Sequence, residues 1–465
     1  MRKVIGSGDR QGSPGGGVPW AGVAGILLGA LLLRVGCVLA TPSYLLDGDS
    51  LDYVAHAVSI VDAHDYPSSG DFPTGPSAAR PPLYPIFVAA IYAVVDNQHL
   101  VVATRLAQAV LGTAVVALIG FICWQLWGRR VAMVALGLAA IFPPLILVGT
   151  AVLSETLFVA LALAACVCGL QRQHRLRWAA LAGCLCGLAA LTRSAGPALV
   201  VPLALAFVGP RGRGWQNALL PVGTLIAAAT LTVAPWTVRN AIVLDSFVPI
   251  STQGGHTLAG SFNETVDRER VDFAWPWKLP EFADIYWRPR YQSRALAAQV
   301  LPGGTPRAWR TTVPEPEVDR RLRSATVDYI TDHPVRTLKR AATKFAAVFM
   351  LRGPDRALIS LEEEAMGRRT SRLLGTYALY PLMLFAFVGA WTARARRAPI
   401  WLWLVPILLL PATFIESLSR LRAPIDPFLI MLAALGIAAA VARAKRSRTI
   451  RPTRFLRGSA RTGPL

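Results

Sequence analysis

Apolar runs long enough to cross a bilayer recur along this chain, separated by short polar loops. They fall at 20–40, 101–127, 131–149, 152–170, 178–193, 195–209, 216–235, 372–392, 399–415 and 424–442. A helix of about 18 or more apolar residues spans the hydrocarbon core, so the pattern predicts an all-α polytopic integral membrane protein with about ten transmembrane helices. A further apolar run at 81–95 is short for a span and reads as an interfacial or re-entrant helix. At 335–351, VRTLKRAATKFAAVFML sets apolar residues against Arg and Lys at helical spacing, the pattern of a helix lying in the interface.

Composition agrees with this class: 54% of the 465 residues are hydrophobic and 16% charged, where a soluble domain carries about a quarter charged. The net charge of +21 does not imply nucleic-acid binding. Its arginines sit in short loops and tails, where the positive-inside rule collects them on the cytoplasmic side. The loops GRR (128–130), QRQHRLR (171–177), GPRGRG (209–214) and ARARR (393–397) share a side with both basic termini only if 81–95 does not cross. The chain then divides into a cytoplasmic basic tail (1–19), an N-terminal transmembrane module (20–235) with a first outer loop (41–100), and an outer segment (236–370). C-terminal transmembrane helices (371–442) and a second cytoplasmic basic tail (443–465) follow. The run at 20–40 reads as an uncleaved first span. The expected location is the plasma (inner) membrane, multi-pass, with the polar helix ends facing the periplasm or exterior.

All six cysteines lie in apolar segments, which argues against a disulfide framework and for ordinary helix packing. His56, His64 and His256 are single histidines without metal-ligand spacing, so no metal site is expected from them. No phosphate-cradling loop is present: GSPGGG near the N-terminus lacks a following P-loop lysine.

The first outer loop is the acidic exception in a basic chain. Between 41 and 85 it carries Asp47, Asp49, Asp52, Asp62, Asp65 and Asp71 against a single cation, Arg80, beside Pro81-Pro82. Other ionisable residues sit at span ends on the same expected face: Glu155, Arg193, Arg239, Glu416, Arg420 and Arg422. Ionisable groups at a membrane edge mark functional sites, because burying them is costly. Carboxylates serve as general bases or metal ligands, and a guanidinium fork matches phosphate oxygens. Their convergence points to chemistry on a phosphate-linked substrate, and a lipid-linked sugar would bring its phosphate to this interface. The glycine-containing stretch 252–264, which includes His256, would line a substrate groove.

The ordered motifs DSLDYVA (49–55), ARPPLYP, WGRR, LSETLF, LTR, PWTVRN and RLRAPIDPF resemble the polytopic GT-C glycosyltransferases. The nearest branch is the protein O-mannosyltransferase-like group that includes the bacterial aminoarabinose transferases. The resemblance covers about 45–440, apart from much of the outer segment. It implies that Asp49, followed four residues later by Tyr53, is the catalytic acid-base residue, that Arg80 contacts the donor phosphate and that Glu155 completes the site. The family pattern has Asp-Glu where this chain has Asp49-Ser50, which leaves a share of the work open to Asp47 or Asp52. Asp47, Tyr53, Arg80, Arg239, His256, Arg420 and Arg422 are the candidate substrate-binding residues. No cofactor is required by this reading, although a divalent cation remains compatible with the carboxylates.

The expected activity is transfer of a sugar from a polyprenyl-phosphate donor to a hydroxyl of a protein, glycolipid or cell-wall glycan, by inverting displacement with Asp49 as general base. Two alternatives use the same substrates: a lipid-linked sugar transporter or flippase, and a glycan polymerase or ligase. The charges sit at helix ends rather than near the midplane, and no inverted repeat is evident, both of which disfavour the transporter.

Overall fold

A computed structural model of the chain describes residues 20–69, 76–171, 174–208, 216–286, 313–356, 367–413 and 417–449. Among them the regular structure is helical. In chain order the helices are α1 (Trp20–Ala40), α2 (Gly48–Asp62), α3 (Leu83–Tyr92), α4 (Leu100–Trp127), α5 (Arg129–Ile141), α6 (Pro143–Val148), α7 (Glu155–Leu170), α8 (Arg175–Thr192) and α9 (Val200–Val208). They continue with α10 (Gln216–Leu244), α11 (Gln253–Ser261), α12 (Glu264–Glu269), α13 (Ala283–Tyr286), α14 (Glu315–Asp332), α15 (Pro334–Val348), α16 (Arg368–Ala390), α17 (Ile400–Thr413) and α18 (Asp426–Thr449).

Among the described residues, six helices are long and apolar enough to cross a membrane: α1, α4, α8, α10, α16 and α18. Apolar helices α7 and α17, and the run Gly196–Val208 that ends in α9, are shorter. The expected span at 131–149 is broken in two. Pro143 offers no backbone N–H and forces the residue before it out of helical geometry, so Phe142 is extended and α6 restarts with Pro143 at its first turn. Helix α3, at ten residues, is about 15 Å long by the 1.5 Å rise and too short to span. It packs on α2 and α4 instead.

The apolar helices share one core, built from Ala, Val, Leu and Ile of α4, α5, α7, α8, α16 and α18. Lipid is as apolar as these side chains, so close backbone approach has to supply the contact. Gly389 and Gly436 allow it between α16 and α18: a Cβ on either would collide with the facing backbone. Two arginines inside this apolar body were absorbed by the hydropathy pattern. Arg34 donates to the carbonyls of Ala30 (3.1 Å) and Ala140 (3.3 Å). Arg105 donates to the carbonyls of Thr150 (2.8 Å) and Thr41 (2.9 Å). Its guanidinium also lies 4.3 Å from the Tyr44 ring centre, so it pins the start of the acidic loop.

The outer segment has its own small core. Ala259, Leu279, Phe282, Tyr286, Val318 and Leu322 pack together, and Ala79 of the acidic loop joins them. This core was hidden because it is built across α11, α13 and α14 rather than within one periodic stretch. Helix α10 also runs on to Leu244, past the expected span end at 235.

Candidate active site

Helix α2 opens the site. Gly48 takes φ +47°, a left-handed conformation that glycine adopts without a Cβ penalty, immediately before Asp49. Ser50 caps the turn: its hydroxyl receives the Asp47 backbone N–H at 2.9 Å and donates to the Asp47 carbonyl at 2.8 Å. Asp47 thus takes part in this turn through its backbone, and the residue is exposed. Asp49, Asp52, Tyr53 and His56 recur at three- and four-residue spacing and therefore share one helix face.

Arg80 faces them from the other end of the same loop. Its Nη1 lies 2.8 Å from Asp49 Oδ1 and its Nε 2.7 Å from Asp52 Oδ2. Ser69 donates to the same Asp52 oxygen at 2.8 Å. The backbone leading to Arg80 is clamped. Glu315 of α14 accepts from the Ala78 N–H at 2.9 Å and from the Thr252 hydroxyl. Ser251 donates to the Ala79 carbonyl at 2.6 Å and Arg239 to the Ser77 carbonyl at 2.8 Å. Burial pushes the Glu315 carboxyl up, against the hydrogen bonds from Thr252 and Ala78.

Two further elements complete the cluster. Glu155 begins α7 and is 1% exposed, and Arg193, just past the end of α8, reaches it at 2.9 Å. Arg193 and the Tyr53 hydroxyl both donate to Ser154 Oγ, at 2.9 and 3.1 Å. The turn Ser419–Arg422 between α17 and α18 sends Arg420 inward, 2.5 Å from Asp49 Oδ2 and 3.5 Å from Glu155 Oε1. Three carboxylates and three guanidiniums thus interlock at one end of the helix bundle. A cleft of about 160 Å³ opens onto them, lined by Asp49, Tyr53, Arg80, Ser154, Arg193 and Thr257 among others.

Electrostatics single out Asp49. Burial alone would raise its pKa, but Arg80 and Arg420 overcome that and hold it well below the usual carboxylate range. Asp52 is also lowered, with Arg80 outweighing burial. Burial and the Asp49 charge push Tyr53 up to about 12, so it stays a hydrogen-bond donor. Asp49 is the most accessible carboxylate of the three: its side chain is 21% exposed, against 11% for Asp52 and 1% for Glu155.

The candidates chosen from sequence therefore separate. Asp49, Tyr53, Arg80, Glu155 and Arg420 come together. Arg422, two residues from Arg420, points away: it pairs with Asp426 at 2.6 Å and donates to the Val348 carbonyl at 2.5 Å. Arg239 lies behind Arg80, with its guanidinium 5.4 Å from the Tyr66 ring centre and 4.9 Å from that of Trp236. His256 is buried beside Trp275 and Tyr286, and burial with the nearby Arg80 charge pulls it down to about 3. Glu416 and Asp71 lie outside the described residues. Arg193, expected only as a charge at a span end, joins the cluster, and Gln253, within the stretch 252–264 expected to line a groove, lines the cleft and accepts from Arg80 at 3.4 Å.

The donor set does not resemble a resident divalent-cation site. Both Asp49 oxygens meet guanidiniums, and among the described residues no three His, Cys, Asp or Glu side chains converge as ligands.

Residues 79–238 match the family model described as dolichyl-phosphate-mannose-protein mannosyltransferase. No curated protein matches the chain. Among solved structures, it is similar to the oligosaccharyltransferase of Archaeoglobus fulgidus in the apo form. That likeness has a TM-score of 0.52 and 12% identity, covering 92% of this chain and 51% of that one. It is a likeness of fold. The chain spans about half the length of the Archaeoglobus fulgidus oligosaccharyltransferase chains that it matches. ArnT from Cupriavidus metallidurans, solved with undecaprenyl phosphate, aligns with a TM-score of 0.44 and 15% identity over 94% of this chain and 82% of that one.

Proposed function

We propose that this chain, whose residues 79–238 match the dolichyl-phosphate-mannose-protein mannosyltransferase family model, is a GT-C-type polytopic glycosyltransferase that uses a polyprenyl-phosphate sugar. The observation that carries the proposal is the interlocked cluster of Asp49, Asp52 and Glu155 with Arg80, Arg193 and Arg420 at the mouth of a cleft. Guanidiniums paired to carboxylates are already oriented for an anion of similar oxygen spacing. A donor phosphate entering the cleft would take over Arg80 and Arg420. That exchange would release Asp49 from the two charges that depress its basicity.

Asp49 then accepts the proton of an acceptor hydroxyl as that oxygen bonds to the anomeric carbon. The bond from anomeric carbon to phosphate oxygen breaks, and its electron pair leaves on the polyprenyl phosphate. Arg80, Arg193 and Arg420 stabilise the charge developing there. One displacement inverts the anomeric centre. Glu155, deep and held by Arg193, serves to orient that arginine and Arg420. The site faces the exterior, the protein lies in the cell membrane, and the acceptor is a hydroxyl of a protein, lipid or glycan.

The test uses the purified full chain in vesicles with a labelled polyprenyl-phosphate sugar and membrane extract. Label appearing in an acceptor with release of polyprenyl phosphate supports the reading. Movement of the sugar-lipid across the vesicle without transfer would replace it with a transporter.

A further inference from the structure

A second charged cavity lies apart from the Asp49 cluster. It has a volume of about 680 Å³ and runs between α12, the loop after it and α15. Seven cations, Arg268, Arg270, Arg336, Lys339, Arg340, Lys344 and Arg352, line it against three carboxylates, Glu264, Asp267 and Asp272. Three of the cations are committed to structure. Arg340 pairs with Asp267 at 3.2 Å and donates to the Ser261 carbonyl at 2.7 Å. Arg352 pairs with Asp272 at 3.4 Å, and buried Lys344 donates to the Asp272 carbonyl at 2.9 Å. Arg268, Arg270, Arg336 and Lys339 are exposed; Arg268 lies in the field of Glu281, and Arg336 hydrogen-bonds to Tyr329. Seven cations against three lining carboxylates leave this cleft with a positive balance.

The same helix fixes where this cleft sits. Helix α15 exposes Val335 (64%), Leu338 (73%) and Phe345 (38%) beside a polar row in which Arg336 and Lys339 supply the charge. Adjacent apolar and cationic rows on one helix suit a bilayer surface, with the apolar row in the acyl boundary and the cations at headgroup level. The end of α15 is tied to the bundle mouth: Arg422, in the turn between α17 and α18, donates to the Val348 carbonyl at 2.5 Å. An anion meeting these four cations while the apolar row is in lipid is a phosphate at the membrane surface.

We propose that this cleft binds the phosphate headgroup of an anionic membrane lipid, as a site separate from the Asp49 cluster and independent of the reaction performed there. Each Lys or Arg near an anionic surface contributes about fivefold in affinity, so removing two should weaken binding roughly 30-fold.

Native mass spectrometry of the full chain in neutral detergent, titrated with short-chain phosphatidylglycerol, reads the binding directly. The variant Arg336→Gln/Lys339→Gln should bind about 30-fold more weakly. Both Arg336→Lys/Lys339→Arg and Asp49→Asn should bind as the unmodified protein does. Unchanged binding in the glutamine variant overturns the proposal. So does equal binding of short-chain phosphatidylcholine, which would mean apolar adsorption. Inorganic phosphate competing as strongly as the lipid would assign the cleft to a free anion and overturn the lipid assignment.

Discussion

Arg420 reaches Asp49 at 2.5 Å across 371 positions of sequence, joining the last pair of apolar helices to the first loop. Its neighbour Arg422 is turned to Asp426 instead. The two arginines should therefore fail differently. Arg420→Ala should lower kcat/KM for sugar transfer by about 100-fold or more, the scale of a lost transition-state donor. Arg422→Ala strands a buried carboxylate and should cost about 3–5 kcal/mol of stability. Transfer assays paired with thermal melts check both; equal effects on activity and melting for the two variants would contradict the division.

Glu315 lies outside the lining of the cleft, yet it holds the backbone just ahead of Arg80. Glu315→Ala would leave the Ala78 N–H and the Thr252 hydroxyl without this acceptor, at about 1–3 kcal/mol for each group stranded. Arg80 should lose its register and kcat/KM should fall, while Glu315→Gln, which keeps an acceptor oxygen, should recover most of it. Steady-state kinetics on both variants read the difference.

His256 gives a pH signature. Its pKa is about 3 in the fold, against an unfolded value near 6.5, so between these the unfolded chain binds a proton that the fold does not. Stability from the neutral imidazole is present above about pH 6.5 and is lost as pH falls toward 3. Thermal melts of the purified protein from pH 7 to pH 4 should drop less steeply for His256→Asn, relative to its own value at pH 7, than for the unmodified chain.

Helix α3 predicts the sidedness of the acidic loop. It is too short to span, so residues before and after it share a face of the membrane. A reporter fused after Val95 should give a non-cytoplasmic signal. A cytoplasmic signal would separate Asp49 from the exterior and reverse the orientation.

Much of this was readable along the chain, because its strongest signals are local. Helices stand at most of the expected apolar runs, the run at 81–95 forms the ten-residue α3, and the helical pattern at 335–351 becomes α15, while α7, α17 and the run ending in α9 are, like α3, shorter than the six long apolar helices. The face shared by Asp49 and Tyr53 follows from their four-residue spacing. What one dimension hides is register between distant helices. Nothing local distinguishes Arg420 from Arg422, and packing of the turn between α17 and α18 decides which one enters the site. Arg34 and Arg105 vanish into hydropathy because a single charge barely lowers the mean of a long apolar window, and backbone carbonyls accept hydrogen bonds from both. The small core around Tyr286 and Val318 forms between elements that carry no common period.

The central claim is that Asp49 removes the acceptor proton while the surrounding arginines hold the donor phosphate. Asp49→Asn keeps the shape and hydrogen-bonding reach of the side chain but removes its basicity. Transfer from labelled polyprenyl-phosphate sugar, measured alongside donor binding on the same purified protein, separates the two roles. The account predicts a loss of transfer of about 100-fold or more with donor binding retained. Transfer at the unmodified rate would contradict it.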